Sequence, residues 1–233
     1  MKVKAVVVAG FVMTLIGFAA PASAALLTFD TRAAFNAAAP GLPVEDFEEG
    51  NIGAGGVGGF DDPLDSSTNN AFFAPGEILT GLTLEASTEE GDDLFILGPG
   101  LFSNPSIVVG ANFFDASLDL LFSGASAIGL DIGSVFADST VTVSVFGPGD
   151  LLLNTFNVAA TGTGTFFGVI NDSGTISRIN LVSTTNDREF EWVDNVAFGA
   201  APESPSPVPE PATLSLLGLG LAGAALRRPL RRR

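Results

Sequence analysis

Short hydrophobic segments, separated by clusters of Gly, Asn, Asp and Pro, follow one another from Leu26 to Phe198. Segments of this length with turn residues between them predict an all-β sandwich. The clearest alternation places Val141, Val143 and Val145 between Thr and Ser residues, which predicts one buried and one solvent-facing side. The predicted strands are Val44–Glu48, Ile78–Ala86, Leu94–Leu97, Ile107–Ala111, Leu118–Phe122, Ala127–Ile132, Thr140–Phe146, Leu151–Val158, Phe166–Ile170, Ile176–Val182 and Phe190–Phe198.

Helix-forming patterns are scarce in this chain. The best candidate is Thr31–Ala38, where Thr31 can cap the first turn and four alanines favour helix.

A turn at Gly147–Asp150 predicts a hairpin between the strands on either side of it. The glycine-rich and acidic stretch Glu49–Asn70 is predicted to be a surface loop that contributes nothing to the core. Residues 200–208, rich in Pro, are predicted to form an extended linker.

The charge of the chain is strongly negative between its two ends. Residues 25–208 hold three arginines, no lysine and 25 of the 26 acidic residues, so their formal net charge is −22. Binding of nucleic acid or of anionic lipid headgroups requires clustered cations, and we exclude both on this ground. An acid-rich surface suits divalent cations instead.

Several residue types that catalysis commonly uses are missing. The chain has no Cys, His or Tyr. Thiol catalysis, thiolate metal sites, imidazole zinc sites and the Ser-His-Asp triad are therefore excluded. Twenty Phe and a single Trp are the aromatic residues, so a saccharide platform of stacked Tyr and Trp is hardly available. These absences favour a protein that is not an enzyme.

Residues 1–24 have the features of a signal peptide. Two lysines precede an apolar stretch, and Ala22-Ser23-Ala24 supplies the small-residue pattern that signal peptidase recognises. We expect cleavage between Ala24 and Ala25. Residues 25–199 then form one sandwich domain, because 184 residues up to position 208 suffice for one ordinary core.

The C-terminal segment 209–233 combines three features in a fixed order. Val208 precedes the tripeptide Pro209, Glu210 and Pro211, an apolar run follows at 212–226, and an arginine-rich end closes the chain. As a helix, the apolar run spans about 22 Å, and the arginines orient it with the bulk of the chain outside the inner membrane. This tail resembles the PEP-CTERM sorting tails of exported bacterial proteins. The resemblance implies processing by exosortase near the Pro-Glu-Pro motif and release or transfer to the cell surface. An uncut single-span transmembrane anchor is the alternative.

An early and a late segment of the domain form a second pattern. Strict alternation in the last predicted strand would place Trp192, Asp194 and Val196 on one face, with a carboxylate inside an apolar row. A buried carboxylate needs a partner, and with few arginines available a hard cation such as Ca²⁺ is a plausible one. An acidic residue of the early strand Val44–Glu48 would complete the site.

These segments resemble those of jelly-roll carbohydrate-binding modules and galactose-binding-like domains, which carry an early FE-x-G and a late DN-V motif. The matching positions are Phe47, Glu48 and Gly50 in the first segment, and 193–196 in the second. The resemblance implies a jelly-roll-like antiparallel sandwich with a structural calcium ion, for which Glu48 and Asp194 are the expected ligands. In the alternative interpretation, Asp194 ends a strand near solvent and binds nothing.

Together these features predict a non-enzymatic surface or extracellular-matrix protein that is sorted by exosortase and binds exopolysaccharide. Two alternatives remain open. A glycoside hydrolase needs only a carboxylate pair and can be built on a sandwich. An ice-binding protein is suggested by the ice-binding name that such tails also carry, and by the Thr-x-Thr row of Thr161, Thr163 and Thr165.

Overall fold

The computed structural model describes residues 26–87, 93–114, 116–136, 138–184 and 190–202. They form fourteen strands and one α-helix, α1 (Arg32–Ala38). The strands are β1 (Leu26–Phe29), β2 (Val44–Glu45), β3 (Val57–Phe60), β4 (Leu64–Asp65), β5 (Leu82–Ala86), β6 (Leu94–Leu97), β7 (Val108–Ala111), β8 (Leu118–Ala125), β9 (Ala127–Ser134), β10 (Ser139–Gly147), β11 (Leu151–Ala160), β12 (Thr165–Asn171), β13 (Ile176–Ser183) and β14 (Glu191–Gly199).

The strands form two antiparallel sheets. The eight-stranded sheet has the order β1-β12-β9-β14-β7-β6-β3, with β2 also paired to β14. The six-stranded sheet has the order β11-β10-β13-β8-β5-β4. The prediction of an all-β, jelly-roll-like sandwich with one short N-terminal helix is therefore confirmed.

The main hydrophobic core lies between the two sheets. Val141, Val143 and Val145 of β10 are fully buried there, while the Thr and Ser residues between them are half-buried on the other side. The predicted alternation of this strand is confirmed. From the eight-stranded sheet, Ile128, Leu130 and Ile132 belong to the same core cluster.

Two further local predictions are confirmed. The α1 helix starts after Thr31, whose Oγ1 accepts a hydrogen bond from the N–H of Ala34 at 3.4 Å. Phe35 of this helix is fully buried against the outer face of the eight-stranded sheet, in a cluster with Ala127, Ile170 and Ala197. Strands β10 and β11 form the predicted hairpin, closed by a 3₁₀ turn at Pro148–Asp150.

The prediction of a structureless loop at Glu49–Asn70 is wrong. This stretch contains β3 and β4, and it buries Phe60 and Leu64 in the main core. Its glycines allow close packing, because a Cβ on Gly58 would lie 2.1 Å from the ring of Phe72. The sequence interpretation took these glycines as a sign of flexibility. In the structure, the absence of a side chain on Gly58 lets an aromatic ring pack directly against the strand.

The strict alternation predicted for the last strand is also wrong. The pairing of β14 with β9 shifts between Asp194 and Ala197, and Asn195 at this β-bulge has a positive φ of 50°. Before the bulge, Trp192 packs in a cluster on the outer face and Val193 enters the core between the sheets. After it, Val196 and Phe198 lie in the core, on the opposite side from Trp192. A bulge adds one residue, so it reverses the side on which later residues lie.

Among the described residues, no helix is long and apolar enough to cross a membrane. The predicted signal peptide with its cleavage site at Ala24 and Ala25 lies outside the described residues. The same holds for the sorting motif Val208–Pro211 and the predicted transmembrane helix that follows it.

Candidate functional site

Asp194 is almost fully buried at the bulge of β14, with 1% of its surface exposed. Its Oδ2 accepts hydrogen bonds from the Ser106 hydroxyl and from Nδ2 of Asn195, the latter at 2.9 Å. Its Oδ1 accepts the N–H of Asn195 at 2.6 Å. Asp194 is therefore held firmly by its neighbours and does not end the strand in solvent.

Glu48 reaches the same place from the other end of the domain. The early strand β2 ends at Glu45, shorter than predicted, because the chain turns at Phe47 with a positive φ of 54°. Beyond this turn, Oε1 of the exposed Glu48 accepts the N–H of Ile107 at 2.9 Å. Since Ser106 and Ile107 are consecutive, the carboxylates of Glu48 and Asp194 are fixed by adjoining residues. The structure thus brings together the two ligands predicted from the sequence.

The pKa of Asp194 is raised to about 7, mainly by burial and to a smaller extent by the neighbouring carboxylates of Asp131 and Glu48. Hydrogen bonds from Ser106 and Asn195 lower this pKa. A hard cation would relieve the repulsion between these carboxylates, and carboxylate and hydroxyl oxygens suit Ca²⁺. A calcium ion held by Glu48 and Asp194 stays a prediction.

Arg32 and Asp131 are residues of this region that the sequence interpretation missed. Arg32 Nη2 lies 3.0 Å from Oδ2 of Asp131 and donates to the carbonyl of Asn195, also at 3.0 Å. Asn195 Nδ2 in turn donates to Asp131 Oδ2 at 3.0 Å. Helix α1 thus brings one cation to the acidic region, which the spacing of Arg32 in the sequence could not indicate.

A second acidic group is formed by Glu45, at the end of β2, and by Asp46 and Glu49 in the turn that follows. One carboxylate oxygen of each lies within 4.8 Å of the others. Glu45 is buried and its two oxygens accept the N–H groups of Phe47 and Leu79 at 2.9 and 2.7 Å. Burial raises the pKa of Glu45, opposed by these two bonds. The Glu45 carboxylate holds the turn that presents Glu48.

Phenylalanine rings crowd one end of the eight-stranded sheet on its outer face. Phe136 and Phe114 remain 57% and 46% exposed, although both contact Phe190, with ring centroids 5.8 and 4.2 Å apart. Phe102 meets Phe136 edge-on at 5.2 Å. Below them, Phe95, Leu97 and Trp192 form a buried apolar cluster. The exposed rings thus stand on a rigid base.

An open groove of about 520 Å³ lies beside these rings. We call it the aromatic groove, and it is lined by Phe102, Ser103, Ser134, Val135, Phe136, Asp138, Thr161, Gly162 and Thr163. Asp138 is the one carboxylate among these lining residues. A smaller apolar cavity of about 170 Å³ adjoins the groove and shares Phe102 and Phe136 with it. The groove therefore combines exposed aromatic surface with hydroxyl groups.

The Thr-x-Thr row does not form a flat face. The hydroxyls of Thr161 and Thr163 lie 3.3 Å apart in the turn between β11 and β12, and that of Thr165 donates to the carbonyl of Ala159 at 2.6 Å. Thr161 also donates to the Gly164 carbonyl. Two of the three hydroxyls therefore bond to nearby backbone, which does not favour the ice-binding alternative.

Comparison with known proteins identifies the tail of the chain. Residues 207–233 match the family model described as the PEP-CTERM protein-sorting motif. The chain therefore carries this motif, as the sequence predicts, and the motif indicates export and sorting to the bacterial surface. No protein of curated function matches the chain in sequence.

Solved structures similar to the chain include carbohydrate-binding modules, the class that its sequence resembles. One is TmCBM61 in complex with beta-1,4-galactotriose, with 13% identity, a TM-score of 0.34, and coverage of 50% of this chain and 86% of the other. Another is a family 29 module, CBM29-2, with 12% identity, a TM-score of 0.34, and coverage of 56% and 90%. A third is CsCBM6-3 from Clostridium stercorarium in complex with cellobiose, with 20% identity, a TM-score of 0.31, and coverage of 48% and 86%.

Proposed function

We propose that this protein is a non-enzymatic surface or extracellular-matrix protein that binds exopolysaccharide in the aromatic groove. The observation that carries this proposal is the exposed ring of Phe136, which borders a groove lined by the hydroxyls of Ser103, Thr161 and Thr163. The PEP-CTERM motif supports the location, because it directs the protein to the surface where such polymers lie.

The chemistry of the groove suits a saccharide. A sugar ring has apolar C–H faces and a rim of hydroxyls, so it pairs with an aromatic face and with hydrogen-bonding side chains at once. The volume of about 520 Å³ lies within the range of ordinary ligand sites, roughly 300 to 1,000 Å³. Phe136 supplies the aromatic contact here, although no Tyr or Trp lines the groove.

The number of carboxylates that line the groove agrees with binding without hydrolysis. Hydrolysis of a glycosidic bond uses two carboxyl groups about 5 to 9.5 Å apart. Among the described residues that line the groove, Asp138 alone has a carboxylate. This observation supports a binding role over the glycoside hydrolase alternative.

We also propose that Ca²⁺ binds at Glu48 and Asp194 and has a structural role. The ion would connect the turn after β2 with the bulge of β14 and neutralise a carboxylate whose pKa burial raises to about 7. No catalytic step depends on this ion.

Processing at both ends completes the proposal. Signal peptidase would cut between Ala24 and Ala25, and exosortase would act near Val208–Pro211 after the tail has been held transiently in the inner membrane. The intact mass of the extracellular protein tests this directly. A mass that includes residues 212–233 would identify an anchored protein instead.

Affinity electrophoresis of residues 25–208 in gels containing the producer's exopolysaccharide tests the binding site. We expect Phe136→Ala to weaken binding at least about tenfold, which corresponds to about 1.4 kcal/mol. Because the ring is mostly exposed, the variant should keep the melting temperature of the wild type.

Leu27→Ala is the matched control, because Leu27 is 47% exposed on the edge strand β1 and does not line the groove, and it should leave binding unchanged. Equal binding by Phe136→Ala and the wild type would refute this location for the site. Release of oligosaccharides by the wild type, abolished by Asp138→Asn, would establish the hydrolase alternative.

A further inference from the structure

Strand β11 (Leu151–Ala160) has an open edge. It is the last strand of the six-stranded sheet, and among the described strands only β10 pairs with it. With ten residues it is long, since strands usually have about five or six. The edge of such a strand presents backbone N–H and C=O groups that can pair with another strand.

Side-chain hydrogen bonds show which residues direct their backbone groups to this edge. The N–H of Thr155 donates to Oδ1 of Asn154 at 2.8 Å, and the carbonyl of Ala159 accepts from Oγ1 of Thr165 at 2.6 Å. Alternate residues of a strand direct their N–H and C=O to the same side. The backbone N–H and C=O groups of Thr155, Asn157 and Ala159 therefore face the open edge. Side chains bond to one backbone group each of Thr155 and Ala159, and Asn157 lies between these two residues.

The chemistry of this strand differs from that of the rest of the chain. No residue of 151–160 is charged, although the chain carries a net charge of −16. Leu151 and Leu152 are 63% and 53% exposed. Lysine, proline and inward-pointing charges commonly protect sheet edges from pairing, and this strand has none of them.

We infer that two copies of this protein pair through their β11 strands, antiparallel and around a two-fold axis. A second copy is the occupant that fits, because it presents the same uncharged strand, while residues 25–208 as a whole carry a formal net charge of −22. With the axis at Phe156, Thr155 of each copy lies opposite Asn157 of the other. Both residues face the open edge, so each pair exchanges two backbone hydrogen bonds once the N–H of Thr155 gives up Oδ1 of Asn154 for a carbonyl of the partner strand. The two six-stranded sheets then become one.

Electrostatics adds a prediction that distinguishes this interface from an ionic one. Two copies that each carry −22 between residues 25 and 208 repel each other at a distance. Salt screens exposed charges beyond about 10 Å at 0.1 M. The dimer should therefore become tighter as salt increases, whereas an interface of ion pairs would weaken.

The test is sedimentation velocity of the exported protein, as recovered from its cells, over a dilution series in glycan-free buffer at low and high salt. We expect a monomer–dimer equilibrium that shifts toward dimer at high salt. Asn157→Pro removes an N–H that faces the open edge, and Leu152→Lys adds a charge to that edge. Both should weaken the dimer at least about tenfold.

Leu27→Lys is the control, since Leu27 is 47% exposed on β1, the edge strand of the other sheet, and it should leave the dimer intact. Circular dichroism checks that Asn157→Pro is folded, and Leu152→Lys tests the same interface without a change of backbone. A wild type that stays monomeric at high concentration and high salt would overturn the inference. Equal weakening by Leu27→Lys and Leu152→Lys would do the same.

Discussion

The outer faces of the two sheets differ in what covers them. On the eight-stranded sheet, Phe35 of α1 packs at one end and Trp192 lies in a cluster with Phe95 at the other. Within the described part of the chain, the outer face of the six-stranded sheet is mainly polar and no α-helix packs on it. There the hydroxyl of Thr142 donates a hydrogen bond to Oδ1 of Asn157 at 3.3 Å, and Nη1 of Arg178 lies 2.7 Å from Oδ1 of Asp119.

This difference explains the location of the candidate sites. Strands β6 and β7 are buried at every residue, because the eight-stranded sheet packs on both of its faces. The outer clusters give Phe136 a rigid base, and α1 brings Arg32 to the acidic region beside Asp194. The six-stranded sheet has a single packed face, so its outer residues exchange hydrogen bonds mainly with one another.

The comparison predicts a large loss of stability for Trp192→Ala. The ring is fully buried and packs against Gly133, where a Cβ would lie 1.9 Å from it. Removal of a buried Trp costs about 3 to 5 kcal/mol. For a domain of this size, that lowers the melting temperature by about 6 to 20 °C.

The matched change on the other sheet is Thr142→Ala. Thr142 is half-buried on the polar outer face, so its loss should alter the free energy of unfolding by less than about 0.5 kcal/mol. Thermal melts of both variants check the pair. Similar losses would mean that the two outer faces contribute alike to stability.

Sequence reasoning succeeded where only one face of a strand is packed. The Val and Thr alternation of β10 identified its buried side, and Thr31 identified the start of α1. The reasoning failed where both faces are packed or where the backbone departs from regular pairing. The bulge at Asn195 reversed the expected sides of Val196 and Phe198, and no pattern in the sequence marks that bulge.

The proximity of the two proposed calcium ligands could be anticipated from the sequence only in part. Glu48 and Asp194 were recognisable from short motifs, and they meet at Ser106 and Ile107. The contribution of Arg32 depends on the position of α1 over the sheet, which residue spacing does not encode. Likewise, the aromatic groove collects residues from distant segments and had no signal in any one of them.

Calcium should stabilise the region around β14 by a smaller amount than Trp192 does. A site filled at one hundred times its dissociation constant adds about 2.7 kcal/mol to the folded state. For residues 25–208, the melting temperature should therefore rise by about 5 to 11 °C in calcium relative to chelator. Asp194→Asn and Glu48→Gln should each abolish this rise.

Asp150→Asn is a control for the calcium effect, because Asp150 lies in the turn between β10 and β11 on the other sheet, where its carboxylate lies 3.2 Å from Nη2 of Arg178. This variant should keep the full response to calcium. Identical melting temperatures of the wild type in both buffers would eliminate the calcium site. Asp194 would then be a buried carboxyl that Ser106 and Asn195 satisfy.

The last prediction is a pH dependence carried by β14, which per pH unit is smaller than the effects of Trp192→Ala and of calcium. Burial raises the pKa values of Glu191 and Asp194 to about 7, from ordinary values of 4.5 and 3.8. Between about pH 4 and 7 the folded state therefore binds more protons than the unfolded state at these groups. Their contribution to stability is full below about pH 4 and is lost as pH rises through 7, at about 1 kcal/mol per pH unit and group.

Denaturant unfolding in chelator, from pH 5 to 8, measures this contribution. The quantity compared is the free energy of unfolding of the wild type minus that of a variant at each pH. Asp194→Asn and Glu191→Gln should each become more stable relative to the wild type as pH rises. On the six-stranded sheet, burial and the carboxylates of Asp62 and Asp119 also raise the pKa of Glu85, but this side chain is only half-buried. Glu85→Gln should therefore change the pH dependence of the free energy of unfolding less, because solvent screens a half-buried carboxylate. Difference curves that stay flat for both β14 variants would show that these carboxyls titrate normally in the folded protein.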